Sequence, residues 1–337
     1  MKILVTGGTG YIGSHTCVEL IKNKHDVVIV DNLYNSNSAV LDRIEKITGI
    51  KPKFYKVDIL DKEKLEQVFI ENTFDACIHF AGYKAVGESV EKPLLYYQNN
   101  IIGSINLYEL LIKYHVNNLV FSSSATVYGN DFEVPFKEEY GQGKATNPYG
   151  QTKAMNELII SDLAKANQDM SCCLLRYFNP IGAHESGLIG EVPNGVPNNL
   201  LPYVAKVANG QLDHLNVYGN DYDTIDGTGV RDYIHVVDLA RAHVLAIEYA
   251  SKTKGVEVIN IGTGKGYSVL EVVEAYKKAS NKNVPYVIVD RRPGDIATCY
   301  ADTSKAKKLL GFEAMYDIER MCLDSFRFND LNPDGIK

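Results

Sequence analysis

Several common signatures are missing from this sequence, and each absence removes a class of protein. The six cysteines (Cys17, Cys77, Cys172, Cys173, Cys299 and Cys322) never fall at C-x-x-C spacing, so the cysteine pattern of metal and redox motifs is absent. The eight histidines are scattered, with no H-x-x-x-H or H-E-x-x-H, and no metal site is expected. No apolar run approaches membrane-spanning length, and no leader-like segment precedes the first strand. Internal repeats and low-complexity tracts are also lacking. An excess of basic charge is missing too: 35 Lys and Arg stand against 42 Asp and Glu, for a net charge of −7. That balance argues against a surface built to bind nucleic-acid phosphates. Cys17, Cys77, Cys172 and Cys173 lie in apolar stretches and read as packed, reduced thiols of a cytoplasmic protein. The 337 residues suffice for a large core and more than one lobe.

The chain begins with a short apolar run, Ile3-Leu4-Val5, suited to a strand buried on both faces. Glycines follow at Gly7, Gly10 and Gly13, with Gly8 giving a second fit to G-x-G-x-x-G, and a helix is expected over Thr16–Asn23. Glycine permits the tight turn and the close approach of backbone to a pyrophosphate, while a helix N-terminus offers free N–H groups. A second apolar strand, Val27–Val30, ends in Asp31. An acid about 18 residues past the last glycine suits the adenosine ribose hydroxyls and repels a 2′-phosphate. No arginine follows among residues 32–36, so NAD is expected rather than NADP.

Strand-like segments at 2–6, 27–31, 53–57, 75–80, 118–123 and 172–177 alternate with helical stretches, the longest at 94–114 and 149–167. Repeated β–α units predict an α/β fold, a Rossmann-type doubly wound parallel sheet, with a smaller C-terminal α/β substrate lobe. The strands end in Gly7, Asp31, Asp58, Ala81-Gly82, Ser122-Ser123-Ser124 and Asn179, and in such sheets these ends converge on one ligand crevice. Residues 1–180 are expected to form the nucleotide domain and 181–337 mainly the substrate lobe. Segments near 234–262 are candidates to rejoin the main sheet. Further helices are expected at 197–209, 237–251, 268–280 and 303–310, and short strands near 257–260 and 285–289.

Tyr149 and Lys153 stand four apart after Asn147-Pro148, where a helix is expected to begin. Residues at this spacing share a helix face. A free phenol has a pKa near ~10 and is a poor base at neutral pH, but a neighbouring cation favours the phenolate. The pair is a proton-transfer device wherever a substrate hydroxyl can reach it.

With the glycine loop, Asp31, Ser124, Tyr149 and Lys153 in place, the chain resembles the extended short-chain dehydrogenase/reductases, and among them the UDP-hexose 4-epimerases. The resembling segments include Ile78–Gly82, Lys84–Val90, Phe121–Gly129, Leu175–Pro180, Pro197–Leu200, Tyr218–Tyr222 and Asp226–His235. The resemblance implies reversible C4 epimerisation of UDP-glucose and UDP-galactose, through a transient 4-keto sugar and an NAD reduced and re-oxidised within one turnover. It makes Tyr149 the base, with Lys153 and the nicotinium charge lowering its pKa and Ser124 shuttling the proton. It further assigns Gly7, Gly10, Tyr11, Ile12, Gly13, Asp31, Asn32, Asn35, Ser36, Asp58, Ile59, Phe80, Ala81, Gly82, Lys84, Asn99, Ser122, Tyr177 and Phe178 to the cofactor. Asn179, Asn199, Leu200, Asn216, Val217, Tyr218, Arg231, Arg292, Asp295 and Cys299 fall to the UDP-sugar.

The position of Cys299 closes the sugar pocket in the family. A small residue there implies room for N-acetylated UDP-hexoses, where many bacterial members carry Tyr. A homodimer through 94–114 and 149–167 is also implied. Nucleotide-sugar 4,6-dehydratases share the scaffold but need an adjacent Asp-Glu pair where this chain has Ala125-Thr126. A non-catalytic NAD-binding redox sensor would have no need of Ser124, Tyr149 and Lys153 together.

Overall fold

The computed structural model describes the chain except for residues 194, 196, 293 and 294. Its strands in chain order are β1 Lys2–Thr6, β2 Asp26–Asp31, β3 Lys53–Lys56, β4 Ala76–His79, β5 Asn118–Ser124, β6 Ser171–Tyr177, β7 Asn179–Ile181, β8 Leu215–Tyr218, β9 Val230–His235, β10 Gly255–Ile261, β11 Gly266–Ser268, β12 Tyr286–Val289 and β13 Thr298–Cys299. The helices are α1 Tyr11–Lys22, α2 Ala39–Thr48, α3 Lys62–Ile70, α4 Val86–Glu91, α5 Pro93–Tyr97, α6 Gly103–Lys113, α7 Pro148–Ala166, α8 Leu200–Ala208, α9 Val236–Ala250, α10 Val269–Ser280, α11 Ser304–Leu310 and α12 Ile318–Leu331.

Seven strands form one parallel sheet in the order β10-β6-β5-β4-β1-β2-β3. The alternating side chains of each strand feed two apolar layers. On β1, Ile3 and Val5 pack with α1, α2 and α9 on one face, while Leu4 packs with α3, α6 and α7 on the other. Burial on both faces explains why these strands read as continuous apolar runs. The chain order reverses between β1 and β4, which opens a crevice at their carboxyl ends. α9 and β10, late in the sequence, return to this body: α9 packs on α1 and β10 extends the sheet beside β6.

A second core lies beyond the crevice. Leu201, Val204, Leu215, Val217, Tyr233, Val272, Tyr276 and Met321 cluster between α8, α10, α12 and the strands β8 and β9. β9 lies centrally in a small sheet with β7, β11 and β13, and β8 pairs with β12.

Three departures from the sequence reading concern this framework. The first helix starts at Tyr11, not Thr16, because the glycine loop is tight enough to reach the helix axis within a few residues. The helix expected over 94–114 is broken into α5, a π turn at Gln98–Ile102, and α6. Such a turn inserts one residue, and here the buried Asn99 and Asn100 lie on it. Finally, β7, β8, β9, β11, β13 and α12 had not been expected. The strands are two to six residues long and lie in polar or Gly-rich stretches.

Candidate active site

The crevice begins at the end of β1. Gly7 adopts a left-handed φ of +72°, and a Cβ there would lie 2.7 Å from Ala81 N. A Cβ on Gly13 would lie 2.2 Å from Gly7 O. Side chains are thereby excluded from the loop, which leaves a bare cradle. Gly10 caps α1 without a side chain, and the first turn carries no acid. The first N–H groups of the helix have no intrahelical partner and make an anion site in a loop of this shape.

Asp31 closes the far side of the cradle. Its buried carboxylate accepts from Thr9 N at 3.2 Å, Leu33 N at 2.8 Å and Ser36 Oγ at 3.1 Å. Asn32 donates to Asp58 at 2.9 Å, so the ends of β2 and β3 are tied. Ile59 is buried against Gly103. Asn35 is exposed and, among the described residues, makes no side-chain hydrogen bond. Cradle, uncapped helix and buried acid together fit a dinucleotide.

After β4, Phe80 packs on His243 with ring centroids 4.7 Å apart, and Gly82 lies against the side chain of Asn100. Asn99 donates to Asn100 Oδ1 at 2.9 Å. Tyr11 donates to Gly182 O at 2.7 Å, and Lys84 Nζ lies 5.9 Å from the Tyr11 ring. Ile12 is in the first turn of α1. Lys84 also donates to Glu191 at 2.9 Å, and Glu191 accepts from Asn199 at 3.1 Å. Sequence reasoning missed Glu191, a lone acid in a loop with no pattern around it.

Asn147 caps α7 by accepting from Gly150 N at 2.8 Å, with Pro148 at the first helical position. This sets Tyr149 in the first turn and Lys153 one turn on. Lys153 is buried and donates to Ser122 O at 2.5 Å, its Nζ 5.8 Å from the Tyr149 ring centroid. Ser124 lies beside the Tyr149 phenol. The Ser124 hydroxyl also accepts from Thr126 N at 3.2 Å. Behind them Ser122 meets the Tyr177 hydroxyl, and Phe178 is buried beside Phe136.

Lys153 was expected to lower the phenol. In this structure burial dominates: Tyr149 is pushed up to about 12, and the group pulling the other way is Ser124. Burial likewise pushes Lys153 down to about 7, against the opposing charge of Glu157.

Across the crevice, Arg231 on β9 and Arg292 converge on Asp295, at 3.9 Å and 2.9 Å. The Arg292 guanidinium lies 4.7 Å from the Tyr218 ring, and Cys299 is the register partner of Arg231. Val217 is buried on β8 and Asn216 partly so, while Tyr218 is exposed at the strand end. Asn199 and Leu200 open α8, and Asn179 opens β7. Arg291, also missed, pairs with Asp221 at 2.7 Å and stacks 4.0 Å from the Tyr222 ring.

A nucleotide cradle beside a Tyr-Ser-Lys set, with the serine and lysine buried, defines an extended short-chain dehydrogenase/reductase. A family profile described as GDP-mannose 4,6 dehydratase matches residues 4–325. The UDP-glucose 4-epimerase of Bacillus subtilis is 58% identical over 337 residues, covering 100% of this chain and 99% of the relative. The crystal structure of the Bifidobacterium longum UDP-glucose 4-epimerase in complex with NAD+ and UDP superposes with a TM-score of 0.96 at 53% identity, over 99% of this chain and 100% of that one. The Stenotrophomonas maltophila enzyme, with bound NAD and formylated UDP-arabinopyranose, also gives 0.96, at 49% identity over 99% of both chains. The chain belongs to the UDP-glucose 4-epimerase family. The dehydratase description marks the shared scaffold, since Ala125 and Thr126 occupy the acid–base positions of that chemistry.

Among the described residues no helix is long and apolar enough to cross a membrane. All six cysteines are free.

Proposed function

We propose that this protein interconverts UDP-galactose and UDP-glucose by inverting the hexose at C4, with residues 1–180 holding NAD and 181–337 mainly holding the UDP-sugar. The observation that carries the reading is the buried Lys153, held on Ser122 O at the carboxyl end of β5 one helical turn beyond Tyr149, with Ser124 ending the same strand. The loop from Gly7 to Gly13 and the start of α1 hold the pyrophosphate, and Asp31 with Ser36 and Asn32 holds the adenosine ribose. Asp58 and Ile59 flank the adenine. Lys84, Asn99, Tyr177 and Phe178 line the nicotinamide end. NAD, when bound, supplies the hydride acceptor for C4, gives the same hydride back, and places a positive charge beside the phenol.

Tyr149, as phenolate, takes the proton of the C4 hydroxyl and returns it to the oxygen once the other face of the sugar is presented. Ser124 bonds both oxygens and keeps the proton on a defined path. A phenol held near 12 is almost wholly protonated at neutral pH, so cationic neighbours are needed to make it a base. Lys153 is the cation this chain provides. Arg231 and Arg292 hold the diphosphate as a pivot, which lets the hexose turn without leaving. Asn179, Asn199, Leu200, Asn216, Val217 and Tyr218 hold the rest of the UDP-sugar.

Cys299 gives the finer specificity. Its small side chain leaves room for an N-acetyl group at C2, so UDP-N-acetylglucosamine and UDP-N-acetylgalactosamine are also substrates. The exposed apolar residues Leu94 (74%), Ile102 (50%) and Leu158 (58%) support a homodimer through α5, α6 and α7. Six free cysteines suit a cytoplasmic location.

The test is product analysis by NMR after incubating the purified protein with UDP-galactose and no added cofactor. UDP-glucose is the expected product. A 4-keto-6-deoxy sugar would make the protein a dehydratase instead, and unchanged substrate in the presence of added NAD would remove the enzymatic reading.

A further inference from the structure

Behind the reacting side chains lies a buried polar cluster with no part in the chemistry described so far. Glu157 stands one turn beyond Lys153 on α7, as Lys153 stands one turn beyond Tyr149. Its carboxylate accepts from Ser123 Oγ at 2.5 Å, Arg176 Nε at 2.9 Å, Arg176 Nη2 at 2.6 Å and Gln142 Nε2 at 2.9 Å. The Glu157 and Arg176 side chains are each only 3% exposed. Arg176 also donates to Gly141 O at 2.8 Å and lies 4.7 Å from the Tyr128 ring.

Ser123 and Arg176 are register partners on β5 and β6. One carboxylate therefore ties α7 to two strands and to the turn at 141–142. The residues flanking Ser123 are those the proton-transfer pair uses: Ser122 gives Lys153 its carbonyl, and Ser124 lies beside the Tyr149 phenol. A slip of α7 along β5 would misplace both contacts together.

A buried ion pair is weak evidence for stability, because apolar residues of similar volume often hold elements together as well. Apolar residues would not supply charge. The groups facing Lys153 are Tyr149 and Glu157 from α7, His79 from β4, Ser122 and Phe121 from β5, and Tyr177 from β6, whose hydroxyl meets Ser122. Burial keeps His79 neutral, pushing it down to about 3, and holds both phenols in their protonated form. Glu157 is thus the anion of this set, and it opposes the burial that strips the proton from Lys153.

We propose that Glu157 is a positioning residue for proton transfer: its carboxylate sets α7 against β5 and β6 and is the anion that balances the Lys153 ammonium. The inference rests on the reading of Tyr149 and Lys153 as the proton-transfer pair. Removing the carboxylate weakens the cation beside the phenol. Lys153 then loses its proton at lower pH, and Tyr149 gives up its own at higher pH.

Three variants separate clamp from charge. Glu157→Gln removes the anion. Glu157→Gln/Arg176→Gln removes it without leaving a buried unpaired guanidinium, and carries the test if the single variant does not fold. Ser123→Ala removes one clamp bond and no charge. For the two Glu157 variants kcat should fall on the order of ten- to a hundredfold, the scale of small misplacements at a reacting centre, with KM for UDP-galactose little changed. The alkaline limb of the kcat–pH profile should move down by about one unit in Glu157→Gln, and by less in the double variant, which loses the Arg176 cation as well. Ser123→Ala should lower kcat with the limb in place.

A second readout needs no turnover. Phenolate absorbance is titrated in each protein and in its Tyr149→Phe counterpart, and the difference isolates Tyr149. It should titrate at higher pH in Glu157→Gln, and less so in the double variant. Wild-type kcat in the double variant, an unmoved limb and titration in folded protein, or undiminished kcat in Ser123→Ala would overturn the proposal. An inactive wild type would instead remove the epimerase reading, while the titration still decides the role of Glu157.

Discussion

The two walls of the site are built on different principles. The wall proposed for proton transfer is fixed by hydrogen bonds between buried residues far apart in sequence: Lys153 to Ser122, Glu157 to Ser123 and Arg176, Asn100 to Thr152 at 3.1 Å. The substrate wall is half-exposed, and its arginines pair with one carboxylate on a short, strand-poor segment. Tyr218, against Arg292, is 38% exposed. Chemistry needs one geometry, so its wall is over-determined. Under the proposed function, recognition tolerates variation, so its wall can change by single residues such as Cys299 without disturbing the base.

That contrast predicts unequal consequences of substitution. Tyr149→Phe should lower kcat by ~10²–10⁴-fold, the range for loss of a general base, with NAD still bound to the purified protein. Retention of more than about a tenth of the wild-type rate would remove Tyr149 from the base role.

Cys299→Tyr should leave the simple hexoses nearly untouched. Overpacking typically costs ~1–3 kcal/mol, so kcat/KM for the N-acetylated pair should drop roughly ten- to a hundredfold. Equal loss for both sugar pairs, or a wild type inactive on the N-acetylated pair, would show that Cys299 is not the gate.

His79 sharpens the contrast from the stability side. It is buried behind the proton-transfer wall between Thr6 and Ser104, at 2.7 Å and 2.9 Å, and is held down to about 3. Below pH ~6.5 the unfolded chain binds a proton that the folded chain does not, so stability falls as pH drops and is unaffected above that point. At pH 5 the loss is about 2 kcal/mol. Urea unfolding of wild type and His79→Gln between pH 4 and 7 should show a shallower acid slope in the variant.

The smallest effect is expected at the substrate wall. Arg292→Ala should raise KM for UDP-galactose about tenfold with kcat preserved, since a half-exposed charged hydrogen bond is worth about 1.5 kcal/mol. A larger loss in kcat than in KM would place Arg292 in the chemistry and break the comparison.

The same division governs what the sequence revealed. Segments with a strong period or a fixed chemical need were legible: the apolar strands, the glycine loop, Asp31, and the Asn147-Pro148 start of the helix carrying Tyr149 and Lys153. The π turn at Gln98–Ile102 was not, because a one-residue insertion leaves the apolar pattern nearly intact. β9 was missed because Val230–His235 sets two charges, Arg231 and Asp232, side by side without regular alternation and takes its place only by pairing with β7, β11 and β13. α12 did carry a signal: Asp317 accepts from Arg320 N as a cap, and Met321, Cys322, Ser325 and Phe328 are buried at helical spacing. Glu157 was also readable, since Tyr149, Lys153 and Glu157 follow one another at intervals of four. Its partners Ser123 and Arg176 were not, for only the folded sheet makes them neighbours.

The central claim is that the hydrogen taken from C4 is the one given back, while the fixed wall moves only the proton of the C4 hydroxyl. UDP-galactose carrying deuterium at C4 tests it directly, with the UDP-glucose formed in ordinary water analysed by NMR. The account predicts that the deuterium stays at C4 of the product. Replacement of the label by solvent hydrogen during turnover would contradict it.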